Sequence, residues 1–358
     1  MRVARFRSFD ERLRIFPERR DAVPYLVLAV LLVAVPFALP PFYVKEIAFV
    51  LILAVAGLSL TLLTGMTGLV SLGHGALIGL GAYLHAWLLR QGLPVPLSLV
   101  VAALATGVVA TLVSLPALRL HGMYLAIATL AISLLLEQAF AQWTAFTGGS
   151  QGIAVPRATL LGGAMNQPVP LYLTSLACAA LGFAAVRNLM RTRTGRALAA
   201  LRDSAVAARS MGIDETRYKA LAFFASAVLA GLSGGLLAHY MGFISPETFG
   251  FLLSVKLLIL VVVGGIGSLH GAAIGAVFVG LLPQVTSLVK DTFPEGIASQ
   301  PSLETVMFGL ILVAVVLWEP AGLYGRWLKI RHFLEVFPTH RANTFVRQKT
   351  FARTERLR

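Results

Sequence analysis

The chain has 358 residues, of which 57% are hydrophobic and 13% are charged, and its mean hydropathy is +0.81. A soluble domain carries about 25% charged residues, so this composition excludes a soluble globular protein and indicates an integral membrane protein in a lipid bilayer. The formal net charge of +14 is also compatible with nucleic-acid binding, but the positions of the basic residues favour another explanation.

Apolar runs of bilayer-crossing length, which is about 20 residues, recur along the whole chain. They lie at 23–44, 47–66, 69–89, 95–118, 122–143, 169–189, 219–241, 251–264, 271–289 and 303–319. We therefore predict an all-α, polytopic transmembrane bundle of about eight to ten spans. Because 251–264 is short and ends in glycines, a re-entrant hairpin through 251–289 fits as well as two spans.

The first apolar run follows a charged segment, residues 1–22, and is longer than the core of a cleavable signal peptide, which has about 7 to 15 residues. It also contains Pro36, Pro40 and Pro41. We therefore expect it to be retained as a span. The single cysteine, Cys178, lies inside the sixth run, so we expect no intramolecular disulfide and no cysteine-based metal site.

Most of the basic residues lie in three segments. Of the 30 Lys and Arg residues, seven are in 1–22, eight in 187–219 and nine in 324–358. Positive charge beside membrane spans stays on the cytoplasmic side. The predicted runs place six crossings between the first two segments and four between the second and third. Both numbers are even, so we expect all three segments, and both termini, to face the cytoplasm.

These expectations divide the chain into a basic amino-terminal segment (1–22), a transmembrane domain (23–320) and a basic carboxy-terminal tail (321–358). Binding of nucleic acid or anionic lipid is an alternative role for 341–358. Topology alone explains the charge of this tail, so we predict no nucleic-acid partner.

Enzyme motifs are missing from the sequence. It has no His-Glu-x-x-His, no Gly-x-Ser-x-Gly and no Gly-x-x-x-x-Gly-Lys-Ser/Thr. The nearest approach to the last, GGIGSLHG at 264–271, has no lysine. Ser268 and His270 are two residues apart and do not face each other as a nucleophile and its base. We therefore predict no catalytic residue, no metal, no cofactor and no ATP site of this kind.

The longest predicted cytoplasmic connection, residues 190–218, is patterned as two short helices. Its small apolar residues recur at spacings of three and four, at Leu198, Leu201, Ala205 and Ala208. Asp203 or Ser204 can cap the second helix, Gly212 can end it, and Asp214 can cap the next span. The opposite face is rich in arginine, so the loop fits either docking to a partner protein or contact with lipid headgroups.

Several stretches together carry a resemblance to a known family. They are LTGMTGLVSLGHGALIGLGAY (63–83), GMYLAIATLAIS (122–133), TGGSQGI (147–153), the long stretch 193–249 that begins RTGRALAALRDSAVAARSMGI, and VVVGGIGSLHGAAIGA (261–276). In this order and spacing they resemble the permease subunits of branched-chain amino-acid ABC importers, the LivH/LivM family, and its LivM-type subunit in particular. Residues 1–45 and 325–358 lie outside the resemblance.

The resemblance implies a passive permease subunit in a bacterial inner membrane, without an ATP-binding motif of its own. Its implied partners are a second, LivH-type permease subunit, two ATPase subunits of the LivG/LivF type and an extracytoplasmic solute-binding protein. It further implies that the 190–218 loop couples the permease to an ATPase, through Arg202, Asp203, Ala205, Ala208, Met211 and Gly212. Branched-chain amino acids are the family's usual solutes, with urea, amides and aromatic acids as alternatives.

The chain departs from this family in its charges. Relatives commonly carry acidic residues where this loop has Ala205 and Arg209, and a glutamate where the fifth run has Leu134. The nearest acid here is Glu137, one helical turn further on. A carboxylate inside a membrane is a functional candidate, although a protonated, hydrogen-bonded side chain or one wetted at the outer interface is the alternative. A secondary transporter would be expected to show several such carboxylates.

Two glycine-interrupted segments occupy corresponding positions in the two halves of the chain, SLGHGALIG at 71–79 and SLHGAAIG at 268–275. Such pairs indicate a translocation path, because bare backbone can approach a solute there. The candidate path residues are Ser71, Gly73, His74, Glu137, Gly265, Ser268 and His270. Close helix packing is the alternative for most of the glycines, and a hydrogen-bonded interior position is the alternative for each histidine.

Overall fold

A computed structural model describes residues 19–120, 122–160, 163–290 and 322–336, with the single positions 306, 309, 310, 313 and 317. In this part of the chain the protein is a bundle of helices with two short two-stranded sheets, which confirms the predicted all-α polytopic class. Residues 1–18, the tail from 337 onward and most of the tenth predicted run lie outside the described residues.

The first half of the bundle contains the helices α1 (Arg19–Ala38), α2 (Pro41–Leu60), α3 (His74–Arg90), α4 (Val95–Ser114), α5 (Met123–Gln142) and α6 (Thr144–Thr147). The second half contains α7 (Pro168–Arg191), α8 (Arg193–Asp203), α9 (Ala205–Ser210), α10 (Glu215–Met241), α11 (Phe251–Gly264), α12 (Leu269–Lys290) and α13 (Gly322–Val336). A π-helical turn, Thr61–Gly65, continues α2, and 3₁₀ turns lie at Ala117–Arg119, Gly149–Gln151 and Pro246–Phe249.

Two antiparallel strand pairs complete the described structure. Their strands are β1 (Ile153–Ala154), β2 (Thr159–Leu160), β3 (Gly163–Ala164) and β4 (Phe243–Ile244). In the first pair β1 faces β4, with Ile153 opposite Ile244, and in the second β2 faces β3. The first pair joins the connection between α6 and α7 to the connection that follows α10, so both lie at the same end of the bundle.

Six described stretches are long and apolar enough to cross a membrane, judged by length and composition. They are Pro41–Gly65, Val95–Ser114, Met123–Gln142, Pro168–Arg191, Glu215–Met241 and Pro246–Gly264. In the last of these, α11 itself has 14 residues and follows the 3₁₀ turn Pro246–Phe249, while α12 has 22 residues. The choice between two spans and a re-entrant hairpin through 251–289 stays a prediction.

Two helix boundaries differ from the predicted runs. The first run, predicted at 23–44, ends as a helix at Ala38, and α2 starts at Pro41 because Pro40 is extended and a proline is well accommodated in a first helical turn. The third run, predicted at 69–89, is helical only from His74. The preceding residues, from Gly68 onward, form an irregular connection in which Gly68 has a φ of 74°.

The centre of the bundle is a close contact between α3 and α10. A Cβ atom added to Gly81 would overlap the backbone of Gly231, and one added to Gly234 would overlap the carbonyl oxygen of Ile78. Small residues let helix backbones approach in this way when both helices lie in a membrane. Most of α3 is buried, and α10 packs on α2 and α4 as well as on α3.

Replacing Gly81 with alanine should therefore separate α3 from α10 and lower the thermal midpoint and the yield of folded protein in detergent. Gly182→Ala is the matched control, because a Cβ there would lie 3.4 Å from Leu229 Cδ2, an ordinary contact. Alanine within a helix should stabilise the control by about 0.5–1 kcal/mol. Equal thermal midpoints for the two variants would contradict the close contact.

Candidate translocation path and coupling surface

The two glycine-rich connections, defined here as 65–73 (between α2 and α3) and 265–268 (between α11 and α12), touch each other at one end of the bundle. A Cβ on Gly65 would lie 2.5 Å from the backbone nitrogen of Gly267. The structure thus brings together the connections that precede the two segments paired by their similarity, 71–79 and 268–275. Both belong to the end that we predict to be cytoplasmic.

His74 is a buried, hydrogen-bonded residue at the start of α3. Its Nε2 lies 2.9 Å from the Ser226 hydroxyl, which donates to the Ser59 carbonyl at 2.7 Å. Because that hydroxyl has a single proton, His74 must donate from Nε2, which leaves its Nδ1 to accept from Ser71 at 3.3 Å. The network joins α2, α3 and α10, and it supports the interior alternative for His74.

Gly73 lies in a tight contact with α5. A Cβ on Gly73 would lie 2.5 Å from the carbonyl oxygen of Thr129, and the neighbouring Leu72 N–H donates to the Thr129 hydroxyl at 3.0 Å. Close packing therefore accounts for the glycine at this position. A larger side chain at Gly73 would push α3 away from α5, so the structure favours the packing alternative over a direct path-lining role.

The residues of the second connection form a turn and a helix cap. Gly265 has a φ of 119°, a region that favours glycine. The Ser268 hydroxyl accepts from Gly271 N–H at 2.8 Å and so caps α12. The exposed His270 lies 2.7 Å from the Tyr25 hydroxyl and stacks on Tyr324, with ring centroids 5.3 Å apart. It links α1 to α13 and is not an interior group.

Glu137 lies beside the start of α11 and the connections that flank the β1–β4 pair. Its half-buried side chain lines an open cavity of about 310 Å³ together with Leu134, Gln138, Ala141, Ser150, Pro246 and Glu247. A Cβ on Gly250, at the start of α11, would lie 2.9 Å from the carboxylate. Leu134 and Glu137 share one face of α5, as their spacing predicts. The open cavity agrees with the alternative of a wetted carboxylate near the outer interface.

A second carboxylate, Glu46 near the start of α2, was missed by the sequence analysis. It accepts from the Gln284 amide at 2.8 Å and from the Tyr240 hydroxyl at 3.2 Å. These neutral donors come from α12 and α10, so Glu46 joins three helices. It falls between the runs predicted at 23–44 and 47–66, and its two donors are distant from it in the sequence.

The predicted helices of the 190–218 loop are α8 and α9, and their ends are as expected. The Ser204 hydroxyl accepts from Ala207 N–H at 3.3 Å and caps α9, while Asp214 accepts from Arg217 N–H at 3.1 Å and caps α10. Gly212 has a φ of 80° and ends the second helix. Of the two residues proposed to cap α9, Ser204 does so and Asp203 does not.

The small apolar face of the loop points into the bundle. Leu198, Leu201 and Ala208 are all buried. Ala208 was predicted to meet an ATPase, and its burial against the bundle argues against that contact. The surface instead exposes Val206 and Met211, at 72% and 82%. The exposure of Val206 was not predicted, because this residue lies outside the periodic apolar set Leu198, Leu201, Ala205 and Ala208.

Two ion pairs lie on the predicted coupling surface, which is defined here as the exposed side of α8 and α9 together with the start of α10. Arg209 lies 3.4 Å from one oxygen of Glu215, and Lys219 lies 2.6 Å from the other. Beside them is an open cavity of about 510 Å³, lined by Leu118, Arg119, Arg209, Gly212, Ile213, Asp214, Glu215 and Thr216. Asp203, also predicted to couple, is exposed, and Ala205 is half-buried. Arg202 turns toward the glycine-rich connections instead.

Residues 43–316 match the family model for the permease component of branched-chain amino acid transport systems. The chain belongs to this family. It is 34% identical over 323 residues to the high-affinity branched-chain amino acid permease proteins LivM of Salmonella typhimurium and Escherichia coli, covering 83% of this chain and 73% of each relative. It is 26% identical over 298 residues to LivH of Salmonella typhimurium, covering 76% and 91%. No solved structure matches the chain significantly.

The match confirms the LivH/LivM-type recognition made from the glycine-rich stretches and the loop. The relatives are transport permeases, and the chain is a membrane transport protein of the same family. The match covers α2 to α12, and thus the His74 network, both glycine-rich connections and the coupling surface.

Replacing Ser226 with alanine should destabilise the fold, because it leaves the His74 Nε2 and the Ser59 carbonyl without their buried partner. The expected cost is about 1–3 kcal/mol, seen as a lower thermal midpoint in detergent. Ser233→Ala is the control on the same helix, since Ser233 donates within α10, to Ala230 at 2.8 Å. A Ser226 variant as stable as this control would contradict the network.

Proposed function

We propose that this permease is one of two membrane subunits of an ATP-binding-cassette importer and moves solute by alternating access. Separate ATPase subunits drive it, and branched-chain or related amino acids are its solutes. The observation that carries the proposal is the α8–α9 loop, which exposes Val206 and Met211 while Arg202 reaches the connection that follows α2. Urea, amides or aromatic acids are the alternative solutes in the same family.

We place the protein in the bacterial inner membrane with both termini in the cytoplasm. The contacts between connections support this arrangement. The 65–73 and 265–268 connections meet the α8–α9 loop at one end, and the β1–β4 pair lies at the other. Each group contains only connections that the charge pattern assigns to one side of the membrane.

The exposed face of α5 supports the presence of a second permease subunit. Only 22% of the apolar window of α5 is buried, against 67% for α10. Its exposed side chains include Gln138 near the half-buried Glu137, besides large apolar residues. An amide and a carboxylate are costly against lipid, so this face fits a homologous permease chain with the solute path between the two. The cavity beside Glu137 then lies at the end where a binding protein delivers solute.

A secondary transporter is less well supported, because it needs carboxylates that bind and release a coupling ion. Glu46 is already held by Gln284 and Tyr240. Glu137 faces an open cavity near the outer end. Of these two carboxylates, only Glu137 is placed where an ion could reach it freely, and a coupled transporter usually has several such groups.

Purification from detergent-solubilised membranes tests the proposal. The chain should co-purify with a second permease subunit and two nucleotide-binding subunits. In proteoliposomes the complex should take up solute only with ATP at the cytoplasmic face and binding protein at the outer face. Uptake driven by an ion gradient, without ATP and without a nucleotide-binding protein, would establish the secondary transporter instead.

The proposed topology can be tested with cysteines in a Cys178→Ala background. A cysteine at the exposed Ser150 should react with an impermeant maleimide in intact cells, and one at the exposed Ser210 should react only after the membrane is opened. Ser150 lies beside the outer cavity and Ser210 in α9. Labelling of both from the same side would contradict the single crossing predicted between them, at 169–189, and with it the even number of crossings between the basic segments.

Gly212 provides a test of the coupling surface. Its left-handed backbone disfavours a β-branched side chain, so Gly212→Val should displace Met211 while the protein still inserts. Solute uptake and solute-stimulated ATP hydrolysis should fall together, at least fivefold. Asparagine tolerates this backbone region, so Gly212→Asn should keep most of both activities. Normal uptake by the valine variant would identify the loop as a headgroup-contacting segment.

A further inference from the structure

Arg202 joins the coupling loop to the glycine-rich connections. It is the last residue but one of α8, and its Nη1 donates to the carbonyl oxygen of Gly65 at 2.8 Å. Gly65 ends the π-helical turn that continues α2, where the final carbonyl groups of a helix lack partners within it. A guanidinium cation at this position also interacts favourably with the negative end of the helix dipole.

Three glycines from two different connections surround this one side chain. A Cβ on Gly68 would lie 3.2 Å from Arg202 Cγ, and a Cβ on Gly267 would lie 3.4 Å from Arg202 Nη1. Both glycines have positive φ, at 74° and 85°, so the backbone bends at each of them. The Arg202 side chain, which is 49% exposed, therefore lies against the backbone of both connections, and a Cβ at Gly68 would crowd it.

The contact reaches both halves of the bundle. Gly65 and Gly68 belong to the connection that leads from α2 into the central α3, and Gly267 belongs to the connection from α11 into α12. The two connections also touch each other, since a Cβ on Gly65 would lie 2.5 Å from Gly267 N. A displacement of α8 thus acts on both connections through one guanidinium group.

We propose that Arg202 is a positioning residue that transmits movement of the α8–α9 loop to the 65–73 and 265–268 connections, rather than a contact to the ATPase. The proposal rests on the proposed function, because it assigns the route by which ATPase closure reaches the spans. An arginine suits this role because its planar group holds several donors in a fixed geometry. A lysine would supply the charge but only a single flexible donor group.

The first arm of the test measures the contact itself, with the purified full chain in lipid nanodiscs. Hydrogen–deuterium exchange of backbone amides in 65–73 and 265–268 should become at least tenfold faster in Arg202→Gln and should increase less in Arg202→Lys. Arg196→Gln is the control, because Arg196 lies on the same helix and donates locally, to Arg191 at 3.3 Å. Unchanged exchange in Arg202→Gln would overturn the proposal.

The second arm measures coupling in the assembled complex in proteoliposomes. Arg202→Gln should retain its ATPase subunits and hydrolyse ATP, while the solute taken up per ATP falls at least fivefold, with Arg202→Lys between this variant and wild type. Loss of ATPase subunits from the purified complex would show that Arg202 is a docking contact, and an unchanged ratio of uptake to hydrolysis would exclude transmission. Either result overturns the proposal.

The two arms separate this proposal from the proposed function. If the wild-type complex shows no ATP-driven uptake, the proposed function fails, and the transmission role fails with it. The exchange measurement needs no ATPase, so in that case it still decides whether Arg202 holds the two connections together. If wild-type uptake depends on ATP and only the Arg202 variants behave unexpectedly, the transmission role alone is wrong.

Discussion

The backbone contact between α3 and α10 is the constraint on which the rest of the structure depends. Gly81 meets Gly231 and Gly234 meets Ile78, and these contacts leave no room for a Cβ atom. Helices in a bilayer gain little from excluding water, so close packing of small residues has to hold them together. Because α3 is fixed at this distance, its first turn can reach α5 through Gly73 and α10 through the His74–Ser226 hydrogen bond.

This rigid centre contrasts with the two connections at the predicted cytoplasmic end. Their glycines bend the backbone, and they touch one another and Arg202. Alternating access needs parts that keep their packing and places where the chain can change direction. The α3–α10 contact supplies the first requirement, and the two connections supply the second. The proposed coupling loop touches the connections through Arg202, so a force applied to it would act where the backbone can bend.

Hydropathy and charge were enough to predict the fold class and most helix boundaries, because a span must have a certain length of apolar sequence whatever it packs against. They misplaced the break near Pro40 and the start of α3, where local backbone geometry rather than hydropathy decides. The similarity between 71–79 and 268–275 predicted that these segments are related, and the connections at their starts do meet.

The individual roles of residues in these segments were less predictable. Ser226, Thr129 and the Gln284–Glu46 pair are distant in sequence from the groups they bond. Which side of α9 faces outward depends on tertiary packing, so the burial of Ala208 and the exposure of Val206 could not be predicted.

The most direct test of this account is an experimental structure of the protein with its partner subunits in a lipid nanodisc. The account predicts that a second permease chain covers the exposed face of α5 and that an ATPase subunit contacts Val206 and Met211. Arg202 should remain on the carbonyl of Gly65 in at least one nucleotide state. A structure in which lipid surrounds α5 and the α8–α9 loop lies among headgroups, away from any ATPase, would contradict the account.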